Sequence, residues 1–237
     1  MKFSAPLYQL KRKARLLSRD QQIPLHEALD RVARLEGFAA WSLLAAKAAA
    51  RSPAATLYAQ LAPGDLLLLG ARPGQGKTLL GLELAVEAMK AGNRAVFFTL
   101  EYTAKDIADR FRAIGVERAA HDALFAFDGS DDISADYIVA RLGDAPSGTL
   151  AVVDYLQLLD QKRSNPELSD QIRTLQGLAR EKGLVFVFIS QIDRRFDPAL
   201  RPVPGLQDVR LPNRLDLSLF SKTCFLNDGE VRFGTMG

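Results

Sequence analysis

The sequence predicts an α/β fold with a mostly parallel central sheet, and three observations carry that expectation. Five short runs, "DLLLLG" from Asp65, "AVFFTL" from Ala95, "LFAF" from Leu124, "LAVVD" from Leu150 and "LVFVFIS" from Leu184, are apolar at nearly every position. Strands of that kind are buried on both faces, which requires helices on either side of the sheet. Segments with amphipathic helical spacing separate the runs. Between the first run and its following segment lies a glycine-rich turn ending in Gly-Lys-Thr, the strand–loop–helix order of a parallel unit.

With 237 residues, 48% of them hydrophobic and 25% charged, the chain can bury one full α/β core and a small appendage. The expected division is a helical region at 1–52 and the α/β domain at 53–237. In the first region Leu25, Ala28, Leu29, Val32, Ala33 and Leu35 recur at three- and four-residue spacing; Gly37 interrupts, "FAAWSLLAAKAAA" resumes as helix, and "RSP" at 51–53 ends it. The pattern predicts a helical hairpin with Phe38 and Trp41 in its core. Ala33, Gly37 and Leu43 also match helix-turn-helix spacing, but any tight helical elbow needs a small residue and a glycine, so DNA contact and protein docking both stay open for residues 1–50. Near the C-terminus, Asp228-Gly229 between two short strand-like runs predicts a β-hairpin.

Charge is uneven. Residues 1–20 hold six Lys/Arg and one acid, and the remainder carries 25 basic against 27 acidic residues. This is a basic arm on a slightly acidic body, either a solvated helix face or a nucleic-acid contact. The lone Cys224 excludes an internal disulfide framework and suits a reducing cytoplasm. No segment has the length and hydropathy of a membrane span, so a membrane role is not expected. His26 and His121 lack the clustered partners of a metal site.

The loop "GARPGQGKT" at 70–78 carries the chemistry. A buried strand (65–69) enters it and a helix (77–91) leaves it. Gly74 and Gly76 let backbone N–H groups turn inward around phosphate oxygens, and the helix N-terminus adds its dipole. Residues Arg72, Pro73, Gly74, Gln75, Gly76, Lys77, Thr78 and Leu79 are the predicted ATP-binding set. Lys77 would reach the β- and γ-phosphates and the Thr78 hydroxyl would ligate Mg²⁺. The usual motif begins with glycine five places before Gly76. Here Ala71 stands there, which is tolerable because that position needs only a compact residue. Asp154 at the end of "LAVVD" is the second candidate metal-associated residue. Glu101, at the tip of "AVFFTLE", is either the carboxylate that orients an attacking water or a cap for the helix after Thr103. Gln191, beyond "LVFVFIS", offers a neutral amide to the γ-phosphate or to that water.

The segments "GARPGQGKT", "FFTLEYTAKDIADR", "AVVDYLQLLD" and "VFVFISQIDRRFDPALRPVPGLQDVR" occur in an order that resembles the RecA-like motor domain of the replicative DNA helicase DnaB family, over roughly residues 60–227. An alanine opening the phosphate loop is typical of that family. The resemblance implies a RecA-like P-loop NTPase fold. It gives Lys77 and Thr78 to phosphate and metal, and makes Glu101 the catalytic carboxylate, Asp154 the metal-associated acid and Gln191 the γ-phosphate sensor. It also implies ATP and Mg²⁺ as cofactors, a part in DNA replication, a homo-oligomer, and single-stranded or duplex DNA as partner. Arg194, Arg195, Arg201 and Arg210, on the proline-rich loop after the sensor strand, are the candidate DNA contacts, set against an ordinary solvated loop diluted by Asp193, Asp197 and Asp208.

Two departures stand beside the likeness. The family's N-terminal primase-binding domain has no counterpart in residues 1–50. Its Lys-x-Arg pair, which reaches a neighbouring subunit's ATP, is not found in "SKTCFLNDGEVRF", where Arg232 is either a substitute or an outward-facing hairpin residue. The leading expectation is a Mg²⁺-dependent ATPase acting on or near DNA. The rival is an ATP-regulated interaction module with little or no hydrolysis.

Overall fold

The computed structural model describes all residues except 1–3, 6, 50, 51, 117–122, 161, 163, 164, 212, 214 and 237. His121 therefore lies outside the described residues, and His26 joins no metal-ligating cluster among them. Helices α1 (Leu7–Gln21), α2 (Leu25–Leu35) and α3 (Trp41–Ala49) lead into a short α4 (Pro53–Tyr58). After them alternate β1 (Leu66–Ala71), α5 (Lys77–Lys90), β2 (Ala95–Thr99), α6 (Ala104–Ala113), β3 (Phe125–Asp128), α7 (Ala135–Leu142) and β4 (Leu150–Asp154). The chain ends with α8 (Leu168–Lys182), β5 (Val185–Gln191), β6 (Lys222–Asn227) and β7 (Glu230–Thr235).

The strands form one seven-stranded sheet in the order β3-β2-β4-β5-β1-β6-β7. Every neighbouring pair is parallel except β6–β7. The five apolar runs are five of these strands, and β1, β2 and β4 are buried at every position. Alternate residues of each strand feed two cores, as a sheet covered on both faces requires. Leu66, Leu68, Phe98, Val153, Phe186 and Phe188 face α7 and α8. Leu67, Leu69, Phe97, Val152, Val187 and Ile189 face α5 and α6. The C-terminal hairpin forms as predicted: Asp228 and Gly229 both take positive φ, at 48° and 78°, the twist a two-residue turn needs to match the flanking strands.

In the helical region the basic arm is itself a helix. Leu10 and Ala14 of α1 join Ala28, Val32, Ala33 and Leu44 in a separate small core, so the predicted hairpin is two-thirds of a three-helix unit. Phe38 and Trp41 line the edge of that core rather than its centre. Leu43 is 55% exposed, and the neighbouring Leu44 is the residue buried on α3, one place off the helix-turn-helix spacing. Among the described residues no helix is long and apolar enough to cross a membrane.

Candidate nucleotide and metal site

Because six strands run parallel, their C-terminal ends share one edge of the sheet. Ala71 pairs with Gln191, Asp154 with Ile189, and Thr99 with Asp154. Neighbouring strands lie about 4.8 Å apart. The glycine-rich loop after β1, Gln191 on β5, Asp154 on β4 and the tip of β2 therefore stand in one row. The sheet order, which sends β1 and β4 to opposite sides of β5, opens the crevice where such folds bind ligands.

The loop between β1 and α5 has the backbone its glycines foretell. Gly74 and Gly76 take φ of 79° and 85°. A Cβ built at either would meet nothing within 4 Å, so the requirement is conformational and the space beside the loop is open. Lys77 and Thr78 open α5 and are 9% and 7% exposed, despite their polarity. Arg72 and Leu79 are half-buried, and Pro73 is exposed. Gln75 is turned toward the C-terminal hairpin, where its side-chain oxygen accepts a hydrogen bond from the backbone N–H of Asp228 at 2.7 Å.

Asp154 is fully buried, and neither carboxylate oxygen has a hydrogen-bond partner. Burial pushes its pKa up to about 6; the nearby Thr78 hydroxyl and Lys77 ammonium draw it back, Glu101 raises it and Arg110 lowers it. Lys77 and Thr78, at the start of α5, thus favour the ionised carboxylate and Glu101, beyond the tip of β2, opposes it. Among the described residues the other partnerless buried side-chain atoms are Ser190 Oγ and Gln157 Oε1. Both lie just past or at the same strand ends, on β5 and in the turn after β4. Buried polar atoms without partners are rare enough to need an explanation, and their gathering at one crevice edge is what a polar ligand site leaves behind. A hard dication coordinated by oxygen fits this donor set: a partnerless carboxylate beside a hydroxyl at a helix start.

Glu101 is exposed, and its backbone N–H is held by Thr99 Oγ1 at 3.1 Å. It is not the cap of α6. Thr103 Oγ1 accepts from the Asp106 backbone N–H, and Asp106 accepts in return from the Thr103 N–H at 2.9 Å, a complete capping box. That disposes of the capping reading of this acid. Gln191 Oε1 accepts a long bond from Arg210 at 3.4 Å, and the Gln191 carbonyl accepts from the Arg210 N–H at 2.8 Å.

The four arginines of the following loop differ in situation. Arg194 and Arg195 are exposed, Arg195 at 94% with only a loose pairing to Asp193 at 3.5 Å. Arg201 is bound within the loop, its guanidinium 2.8 Å from Asp208 and over the Phe196 ring. Arg210 sits at the loop base against Gln191. Three further links escaped the sequence reading. Gln157 donates to the Arg210 carbonyl at 3.0 Å, joining the turn after β4 to the loop after β5. Asn227 of the hairpin donates to the Pro202 carbonyl at 2.8 Å. The Arg110 guanidinium lies 3.9 Å from the centroid of the Tyr102 ring. Only the last had a visible signal, an arginine two helical turns beyond an aromatic residue at a strand tip. Arg232 is exposed on the edge strand β7, as either of its two readings requires.

Residues 55–124 match the sequence family described as DnaB-like helicase C terminal domain. The chain is 26% identical over 217 residues to a probable plasmid replicative DNA helicase of Chlamydia trachomatis, covering 74% of this chain and 48% of the relative. It thus spans about half the length of the curated relatives it matches. Among solved structures, a DnaB-like replicative helicase studied with its primase interactions superposes at a TM-score of 0.60 and 20% identity, over 97% of this chain and 71% of that one. A KaiC-like protein from the hyperthermophilic archaeon Pyrococcus horikoshii gives 0.53 and 16%, over 73% and 80%. Sheet order, phosphate loop and sequence match agree: the chain carries a RecA-like α/β domain that is similar, over residues 55–124, to the C-terminal domain of DnaB-like helicases.

Proposed function

We propose that this protein binds and hydrolyses ATP with Mg²⁺, and that it does so on or near DNA. The observation that carries the reading is the buried, partnerless Asp154 carboxylate, on the same sheet edge as an open, glycine-shaped loop that ends in the buried Lys77 and Thr78. The amides of residues 72–79 and the Lys77 ammonium would hold the phosphates. Thr78 and Asp154 would hold the metal, which when bound supplies positive charge to the β- and γ-oxygens. Glu101 would align a water with the γ-phosphorus and take its proton. The water oxygen forms the new P–O bond, the bond to the β–γ bridging oxygen breaks, and that oxygen leaves with the electron pair as ADP. Gln191, bonded to Arg210, would report the terminal phosphate to the loop that follows.

DNA, single-stranded or duplex, is the proposed partner of that loop, through the exposed Arg194 and Arg195. Arg201 shapes the loop, and Arg210 ties it to the sensor. A homo-oligomer and a protein partner bound through residues 1–50 belong to the same proposal, as does a cytoplasmic setting. The test is ATP turnover with and without single-stranded DNA, for wild type and Glu101→Gln. DNA-stimulated turnover that drops about a hundredfold or more in the variant supports the reading. Tight ATP binding with turnover insensitive to DNA and to the substitution would return the chain to the interaction-module alternative.

A further inference from the structure

We propose that Arg110, oriented by Tyr102, reads the terminal phosphate of a bound nucleoside triphosphate from within the same chain; this rests on the ATP-binding reading above. Helix α6 begins just past the tip of β2, and its capping box fixes where its first turns lie. Tyr102 follows Glu101 and stands three residues beyond Thr99, the strand partner of Asp154. The Arg110 guanidinium is folded back onto that tip. It lies 3.9 Å from the Tyr102 ring centroid and donates to the Asp106 carbonyl at 3.2 Å.

Arg110 forms no direct ion pair among the described residues. Asp106, one turn earlier, is taken by Thr103, and Asp109 pairs with Arg112. The Asp106 carbonyl engages one nitrogen of the fork. The aromatic face orients the cation without consuming any N–H. The result is a half-buried, permanently charged fork with free donors, held on the tip of the strand that neighbours the one ending in Asp154. With the inner phosphates on the loop after β1, the terminal group would extend toward the ends of β4 and β2, the tip onto which this guanidinium is folded. A planar fork of N–H donors suits bidentate contact with phosphate oxygens. A diphosphate leaves that position empty, so Arg110 should separate the two ligands, with Tyr102 as its positioning residue.

The test is calorimetric binding of Mg²⁺-AMPPNP and Mg²⁺-ADP to the full chain, wild type and variants. Arg110→Ala should weaken AMPPNP about tenfold or more and leave ADP within about twofold. Arg110→Lys, which keeps charge but loses the planar fork, should recover only part. Tyr102→Phe, which keeps the ring face, should match wild type, and Tyr102→Leu should lose triphosphate preference alone. Equal losses for both ligands, or no loss in Arg110→Ala, would overturn the inference while leaving the nucleotide site standing. Wild type that binds neither ligand would overturn the ATP reading itself and this inference with it.

Discussion

The side chain of Gln75, in the phosphate loop, holds the backbone N–H of Asp228, at the tip of the C-terminal hairpin, across 153 residues of sequence. Asn227, the preceding residue, is bonded to Pro202 of the arginine-rich loop. The hairpin therefore touches both loops that flank the crevice. Replacing Gln75 with Leu removes the acceptor and leaves the rest of the loop intact. A net hydrogen bond contributes about 1 kcal/mol, so amide exchange at Asp228 should quicken about fivefold, with the strand amides of β6 unchanged. Hydrogen-exchange mass spectrometry or NMR checks this. Unchanged exchange at the tip would mean the contact does not hold the hairpin.

Asp154 makes stability pH-dependent in an uncommon direction. Its pKa is about 6 in the folded chain against an ordinary 3.8, so the folded state holds the proton more tightly between those values. The group costs least below its ordinary pKa, and stability falls as pH rises from there through about 6, then levels off. The difference corresponds to about 3 kcal/mol as an upper bound. Asp154→Asn, without nucleotide, should therefore gain stability over wild type at pH 7.5, and the gain should shrink toward pH 4. Denaturant melts across that range measure it. A variant less stable than wild type at pH 7.5 would contradict a buried carboxylate whose burial outweighs the help of Thr78 and Lys77.

Arg201 and Arg195 occupy one loop and should behave differently. Arg201 compensates Asp208, whose side chain is largely buried and also accepts from the Gly205 N–H at 2.8 Å. Arg201→Ala should cost about 1 kcal/mol or somewhat more in stability, because it strands part of that carboxylate's charge. Arg195→Ala should leave stability unchanged and weaken single-stranded DNA binding evenly across sequences, lowering the salt slope by about one. Thermal melts and fluorescence anisotropy across a salt series separate the two outcomes.

Cys224 lies in β6 beside Leu69, fully buried, and burial pushes its thiol up to about 12. A thiol in that state reacts slowly, since the thiolate is the nucleophile. Thiol-specific reagents at pH 8 should leave the native protein unlabelled and modify it only as β6 separates from the sheet, making Cys224 a built-in probe of unfolding. Rapid labelling under native conditions would place β6 at the low-stability end of the fold.

What could be read from sequence alone has a physical pattern. Strands apolar at every position announce a doubly covered sheet, and Gly-Lys-Thr after such a strand places its own chemistry, because loop, lysine and hydroxyl are contiguous. Asp228-Gly229 declared its turn for the same reason: a two-residue hairpin is a local event. The basic arm was not legible as a packed helix, since Leu10 and Ala14 find Ala28 and Val32 only after the chain reverses. Leu43 and Leu44 cannot be told apart without knowing how α3 is rotated, and the structure buries the second. Glu101 could be a cap until Thr103 and Asp106 were seen to satisfy each other. The cradle's outer supports, Gln75 on Asp228 and Gln157 on Arg210, join distant segments whose closeness only the sheet order creates.

Titration of Mg²⁺-AMPPNP into wild type, Lys77→Ala and Asp154→Asn tests most directly whether the loop and Asp154 share a single triphosphate–metal site. Wild type should bind one equivalent. Lys77→Ala should bind at least about tenfold more weakly, with or without magnesium. Asp154→Asn should lose chiefly the part of the affinity that magnesium adds. Binding of the nucleotide by both variants with wild-type affinity and wild-type metal dependence would contradict the account.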